Sequence, residues 1–153
     1  MKRFSHAALI ILSGVIWFAV GCFLMSLGAR FLVNAITLPG APLLQWMSSL
    51  TGGKEESALI LVLAALLVGK FKAKKVLSKA AGRGISRLHA MSAPLSLTAL
   101  YSKPYLLLLA LMMAMGMGMN FLGVPKDIRG LVDLTVGAAL IQGSLYYFKA
   151  ARA

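Results

Sequence analysis

One carboxylate near the end of the chain stands where a charge is costly. In the stretch RGLVDLTVGAALIQGS, residues 129–144, Asp133 is the only acid among small and apolar side chains. An ionisable residue inside a membrane segment usually faces the interior of a helix bundle and often belongs to an ion or proton pathway. Asp133 is therefore our first candidate for a pathway residue. A static ion pair that fixes the register of the helices is the structural alternative.

Other polar side chains are candidates to accompany Asp133. Asn120 lies about as far before the turn VPKD as Asp133 lies after it. Arg30 stands near the outer end of the first apolar run, and Arg129 competes with it from one helical turn before Asp133. Gln142 lies on another face of the same helix. The sequence predicts a buried polar cluster or pathway with these members: Asp133, Arg30, Asn120 and Gln142.

The composition and the long apolar runs indicate a membrane protein. Hydrophobic residues make up 59% of the 153 residues, and the mean hydropathy is +0.84, whereas soluble domains contain about 45–50% apolar residues. Crossing a hydrocarbon core about 30 Å thick takes roughly 20 apolar residues in a helix. The sequence therefore predicts an all-α polytopic membrane protein with a single domain, residues 1–153, and four transmembrane helices. The predicted spans cover about residues 7–33, 57–72, 104–123 and 128–148.

The connections between the spans leave two alternatives open. The second span is short and ends in Lys70 and Lys72, so it either crosses the membrane fully or is partly re-entrant. The outer loop, residues 34–56, is predicted to form an interfacial helix anchored by Trp46, with a re-entrant element as the alternative. The turn VPKD is short enough to make the third and fourth spans a tight helical hairpin.

The distribution of charge predicts the orientation, because short loops rich in Lys and Arg stay on the cytoplasmic side. With the N-terminus inside, that side collects Lys2, Arg3, Lys70, Lys72, Lys74, Lys75, Lys79, Arg83, Arg87, Lys103, Lys149 and Arg152. The outer side holds the other cations and all four acids, so the whole formal charge of +12 lies inside. We expect both termini in the cytoplasm and the chain in a bacterial inner membrane, with the first apolar run retained as a span and not removed as a signal peptide.

Small residues at regular spacing predict where the helices pack. They recur at seven-residue intervals in the first span and again in the fourth, and the predicted packing set is Gly14, Gly21, Gly28, Gly130, Gly137 and Ser144. Small residues let transmembrane backbones approach closely, so each helix has a groove for a neighbour in the bundle or in a second subunit. Because Gly130, Asp133 and Gly137 share one helical face, we expect the acid to point into this groove.

Residues 73–103 are predicted to form a basic cytoplasmic loop that contains an amphipathic helix. At helical spacing five cations form one stripe: Lys72, Lys75, Lys79, Arg83 and Arg87. Apolar residues gather on the opposite side, which is typical of a helix lying in the membrane interface. We expect the stripe to bind anionic phospholipids, at about 1 kcal/mol per charge. Beside a membrane span, lipid explains this charge better than nucleic acid does, so no nucleic-acid partner is predicted.

Motifs of enzymatic or metal chemistry are absent from the sequence. There is no pairing of nucleophile and base, no phosphate-binding glycine loop and no cluster with metal-ligand spacing. Cys22 is the only cysteine, which excludes an internal disulfide. The methionines of MMAMGMGMN, residues 112–120, are interpreted as packing residues and not as Cu(I) ligands, with Gly116 and Gly118 allowing close backbone approach or bending. We expect no enzyme activity, no metal and no cofactor.

The strings KKVLSKAAGRGISRL and PKDIRGLVDLTVGAALIQGSLYYF resemble those of small uncharacterised bacterial membrane proteins with a basic central loop and a Pro-x-x-x-Arg-Gly turn into the last span. The resemblance covers roughly the C-terminal half of the chain. It implies residence in a membrane as a multi-span protein and attaches no activity to it.

Two classes of function fit these features. One is a transporter or channel for a small ion or solute, necessarily oligomeric because four helices enclose too little volume for a pathway. The other is a scaffold or accessory subunit whose glycine grooves bind partner helices and whose basic segment binds anionic lipids. The polar residues of the fourth span favour transport, whereas the short outer loops and the lack of a second membrane-buried acid favour the scaffold. We expect a transporter, as a homo-oligomer or as a subunit of a membrane complex.

Overall fold

The computed structural model describes residues 5–92 and 103–153, without the side chains at positions 104, 105, 108 and 109. Within these ranges the chain forms helices and no strand: α1 (His6–Thr37), α2 (Pro42–Thr51), α3 (Lys54–Lys72), α4 (Ser78–Ala90), α5 (Lys103–Phe121) and α6 (Lys126–Arg152). A π-helical turn, Ala73–Leu77, joins α3 to α4. The all-α prediction is confirmed. The predicted roles of Lys2 and Arg3, and the end of the basic loop at residues 93–102, lie outside the described residues.

Two of the described helices, α1 and α6, are long and apolar enough to cross a membrane. They coincide with the predicted first and fourth spans. The predicted second and third spans fall on α3 and α5. α3 carries charges at both ends, with Lys54, Glu55 and Glu56 at its start and Lys70 and Lys72 at its end, so its uncharged stretch is shorter than those of α1 and α6.

α1 and α6 pack antiparallel along a line of glycines. A Cβ atom added to Gly28 would lie 2.7 Å from the backbone nitrogen of Leu134, and one added to Gly137 would lie 2.7 Å from the carbonyl oxygen of Gly21. These distances are shorter than any ordinary carbon contact, so the two backbones touch where a side chain would hold them apart. At the other end of the contact, a Cβ atom added to Gly14 would lie 2.8 Å from the ring of Phe148.

α3 packs against another face of α6, again through a glycine. A Cβ atom on Gly69 would lie 2.7 Å from the carbonyl oxygen of Thr135 and 2.8 Å from the Cβ of Ala138. α2 then covers the apolar cluster that α1, α3 and α6 form near the end of α1, with Leu44 fully buried among residues that include Leu32. α6 is therefore the central helix of the bundle, with α1 and α3 on two of its sides.

The helix of the basic segment packs its apolar face against the protein, a contact that the sequence did not predict, and its position in the membrane interface stays a prediction. α3, the π-helical turn and α4 run on without a loop, and α4 continues through both Gly82 and Gly84. Its apolar face buries Ala81 and Leu88 in a cluster with Leu9 of α1 and Tyr147 of α6. The small residues of this face fit closely against α6, which accounts for the docking. At the far end of α4, a ring nitrogen of His6 hydrogen-bonds the carbonyl oxygen of Met91 at 2.8 Å.

The predicted tight hairpin of the third and fourth spans is wrong. The connection itself is short, with Gly123 in the left-handed region at φ +63° and a hydrogen bond of 3.1 Å from the Val124 amide to the Met119 carbonyl. However, α5 diverges from α6 and has no extensive contact with any other described helix. A Cβ atom on Gly116 or Gly118 would meet nothing within 4 Å, so these glycines do not bring two backbones together. A short turn restrains the ends of two helices and leaves the angle between them free.

Candidate functional site

The divergence of α5 opens a crevice between α1, α5 and α6. Its volume is about 370 Å³, within the range of about 300–1,000 Å³ typical of small-molecule sites. Apart from two charged residues of α6 its walls are apolar. They are formed by Val20, Phe23, Leu24 and Leu27 of α1, by Met112, Met113, Met115, Gly116, Met117 and Met119 of α5, and by Arg129, Asp133 and Val136 of α6.

Asp133 lines this crevice and is nearly buried. Its exposed fraction is 7%, and its Oδ2 atom has no hydrogen-bond partner among the described residues. A buried polar atom without a partner costs about 1–3 kcal/mol, and more when the group is charged. Buried carboxylates are almost always paired, so the unpartnered Oδ2 atom of Asp133 is unusual among the described residues.

Arg129 lies in the same wall but is engaged elsewhere. Its Nη1 atom donates a hydrogen bond of 3.1 Å to Oδ1 of Asn120 at the end of α5. The central carbon of its guanidinium lies 4.6 Å from the centre of the Phe31 ring, a cation–π contact with α1. The Nε atom of Arg129 is buried without a partner, as Oδ2 of Asp133 is. These contacts hold the guanidinium towards Asn120 and Phe31 and leave Asp133 without a donor.

The structure assembles only part of the predicted polar cluster. Asn120 and Asp133 both approach Arg129, but Arg30 is exposed on α1 and forms no ion pair with Asp133. Arg129 takes the nearby position because it lies one turn before Asp133 on the same helix. Gln142 follows Asp133 by nine residues, which at about 100° per residue places it on the opposite side of α6. The predicted Asp133 to Arg30 pair is therefore not formed. Gln142 does not line the crevice, and a route along it stays a prediction.

On α6, the small residues lie in the contact with α1, and Asp133 lies beside this contact. Gly130 and Gly137 lie in the contact with α1, and the Cβ constructed on Gly130 is 2.8 Å from the carbonyl oxygen of Gly28. Ser144 is fully buried, with its Oγ atom donating to the Ile141 carbonyl at 2.6 Å. Asp133 faces the crevice beside this contact. The acid therefore lies at the edge of the glycine contact, on the side that borders the crevice.

The sequence predicted that the methionines of α5 are packing residues. In the structure most of them do not fill a core. Met113, Met115 and Met117 are exposed by 57%, 42% and 65%, whereas Met112 is partly buried and packs against the apolar cluster around Trp17. Together they form the α5 wall of the crevice. Methionine is flexible and polarisable, so this wall can adapt to the shape of what it contacts.

Asp127 is a buried polar residue for which the sequence predicted no role. It is fully buried, and its Oδ2 atom accepts hydrogen bonds from the amides of Leu43 and Leu44 at 2.7 and 3.1 Å. Its Oδ1 atom accepts from the Ile128 amide at 2.9 Å. α2 begins after Ala41, which has no side-chain acceptor, so Asp127 supplies the N-terminal cap of α2 from another element. The missing local cap was the signal that such an acceptor existed elsewhere.

The basic stripe lies on the outer surface of the bundle. All five of its cations are exposed: Lys72, Lys75, Lys79, Arg83 and Arg87. The stripe runs beside the first half of α1, because Gly84 lies against the hydroxyl of Tyr147 and Gly143 of α6 lies between Trp17 and Leu77. The stripe and the crevice are therefore two separate charged features of the fold.

In the part of the chain that the structure describes, no group of three His, Cys, Asp or Glu residues could hold a metal ion. Compared with protein-family models, with curated proteins and with solved structures, the chain gives no significant match. The resemblance of the C-terminal half to small bacterial membrane proteins therefore stays an expectation.

Proposed function

We propose that this chain is the subunit of a small, oligomeric membrane transporter that binds its solute in the crevice between α1, α5 and α6. The observation that carries the proposal is the Oδ2 atom of Asp133, buried and unpartnered in a wall that is otherwise apolar. An intramembrane acid of this kind is expensive to keep unless a solute, an ion or a proton uses it. Asp133 is the proposed contact to the solute.

The proposed topology keeps four membrane helices, α1, α3, α5 and α6, with both termini in the cytoplasm of a bacterium. The directions of α1 and α6 support it, because they run antiparallel and both are long enough to cross. The apolar surface of α5, with Leu107 and Leu111 exposed by 71% and 63%, favours contact with lipid or with a second subunit. A homo-oligomer would enclose the crevice more completely than one subunit does.

Flux through the purified protein in liposomes tests this function. Proton, sodium, potassium and chloride flux would be measured for the wild type, for Asp133→Asn and for Glu56→Gln. Glu56 is a matched control because it is an exposed acid at the start of α3, away from the crevice. We expect flux of at least one ion in the wild type and in Glu56→Gln, and its loss in Asp133→Asn.

The control for folding is the elution volume and the circular dichroism of each variant. Flux that is equal in Asp133→Asn and the wild type would contradict the role of Asp133. A folded wild type that moves none of these ions, and none of the amines described below, would contradict transport itself.

A scaffold or accessory subunit is the second candidate. The observation that favours it is the exposure of α5, which presents Leu106, Leu107 and Leu111 without a partner in the described structure. A membrane helix of another protein could cover this surface. The two candidates differ in one measurable way, because a scaffold loses its complex when α5 is changed and keeps it in Asp133→Asn.

A further inference from the structure

We infer that the solute class of the crevice is an amphipathic amine, a molecule with one protonated nitrogen and an apolar body. The inference deepens the proposed transport function and rests on it. Its two parts are the carboxylate that would bind the ammonium group and the walls that would hold the body.

The ammonium group is identified by what Asp133 lacks. Its Oδ2 atom is buried and has no donor, while the nearest guanidinium, that of Arg129, is bound to Asn120 and stacked on Phe31. A protonated amine supplies both an N–H donor and the opposite charge, and hydrogen bonds between charged groups are the strong ones. An anionic solute would leave Oδ2 without a donor and place a like charge beside it.

The apolar body is identified by the walls. Phe23, Leu24 and Leu27 form the α1 side, and methionines form the α5 side. Their apolar surface favours burial of hydrocarbon or aromatic groups. The adaptable methionines fit bodies of different shape better than a rigid wall does, so the site favours a class of compounds over one compound.

A bare metal cation fits this site less well. Calcium takes about 6–8 oxygen ligands, and magnesium about six. Among the described lining residues Asp133 supplies the only carboxylate, and the rest of the wall has no oxygen-bearing side chain. An organic cation needs one charged contact and an apolar surface, which is what the crevice offers.

Binding of three probes with one common body tests the inference. They are 4-phenylbutylammonium, 4-phenylbutanol and 4-phenylbutyrate, which carry a positive, a neutral and a negative head. Each would be equilibrated by dialysis with the full-length protein in detergent micelles, with empty micelles as the blank for partition. The proteins are the wild type, Asp133→Asn, Glu56→Gln and Leu27→Trp, and folding is checked as above. Leu27→Trp narrows the crevice and leaves the carboxylate in place.

We expect the wild type and Glu56→Gln to bind the ammonium probe at least about tenfold more tightly than the alcohol, because the hydroxyl donates to the carboxylate without the positive charge of the ammonium. Asp133→Asn should lose this preference, and Leu27→Trp should bind all three probes weakly. If Asp133→Asn does not fold, Leu27→Trp decides whether the crevice is the site. Tighter binding of the carboxylate probe would overturn the inference and make Arg129 the recognition group. Equal binding of the ammonium probe by folded Asp133→Asn, or undiminished binding by Leu27→Trp, would overturn it as well.

This experiment separates the inference from the proposed function. Selective amine binding without flux of the amine or of any ion would support the amine site and contradict the proposed transport function. Flux of an inorganic ion that depends on Asp133, without amine binding, would support the proposed transport function and contradict the amine as its solute.

Discussion

Replacing Asp127 by alanine should release the N-terminus of α2. In the structure one carboxylate oxygen accepts the amides of Leu43 and Leu44, at 2.7 and 3.1 Å. α2 has no side-chain cap of its own at Ala41. The substitution therefore leaves the first free amides of a helix without an acceptor.

The size of the effect follows from these contacts. Replacing a helix cap by alanine costs about 0.5–2 kcal/mol, and hydrogen bonds to a charged group contribute about 1.5–3 kcal/mol. Water can reach the end of α2 once it opens, so the costs do not add in full. We expect α2 to open more easily by about 2 kcal/mol, which corresponds to roughly 30-fold faster amide exchange.

Hydrogen–deuterium exchange followed by mass spectrometry measures this directly in the peptide that covers residues 41–52. Asp127→Asn should fall between the wild type and Asp127→Ala, because an amide oxygen still accepts but carries no charge. Glu55→Ala removes an exposed acid and should leave α2 unchanged. Wild-type exchange of α2 in Asp127→Ala would refute the capping argument. Equal acceleration in α1 and α6 would also refute it, since the residue would then stabilise the whole bundle and not the end of α2.

Three further outcomes are expected from other parts of the structure. Gly137→Ala should lower the SDS concentration at which the protein unfolds, because its Cβ would lie 2.7 Å from a carbonyl oxygen of α1. The control Gly118→Ala meets nothing within 4 Å and should stabilise α5 by up to about 1 kcal/mol, through the higher helix propensity of alanine. Equal shifts in the two variants would contradict the backbone contact. Cys22 is exposed on the surface of α1, and in the proposed span lipid covers it. It should therefore resist a membrane-impermeant maleimide in intact membranes and react in SDS; labelling in intact membranes would contradict the proposed span. Arg83→Gln with Arg87→Gln should reduce the anionic phospholipid that native mass spectrometry finds bound, and unchanged binding would remove the lipid role of these two cations.

How far the sequence predicts this structure depends on whether the signal is local. The glycines of α1 were predictable as packing residues because their seven-residue spacing keeps them on one face, whatever the partner. Asp127 was not, because the missing cap at Ala41 indicates that α2 needs an acceptor but does not indicate which element supplies it. Docking of α4 was not predictable either, since a helix that covers a protein and one that lies on a membrane need the same amphipathic sequence. The angle of α5 depends on contacts made beyond the turn, so the length of VPKD did not predict it.

The contact between α1 and α6 sets the depth of Asp133 in the proposed membrane span. Along the axis, Asp133 lies level with Gly28 of α1, because Leu134 contacts that glycine. α1 contains 32 residues, or about 48 Å at 1.5 Å per residue, and exceeds a hydrocarbon thickness of about 30 Å by about 18 Å.

The docking of α4 beside the first half of α1 determines which end of α1 extends beyond the hydrocarbon. Cations such as Lys79 and Arg83 stay out of the hydrocarbon only if the N-terminal turns of α1 project into the cytoplasmic headgroups. In the proposed orientation the bilayer then shifts towards the α2 end of the bundle. Arg30, which is exposed two residues after Gly28, limits this shift, because its guanidinium has to reach the outer headgroups. The carboxylate and its crevice would then lie in the outer half of the membrane.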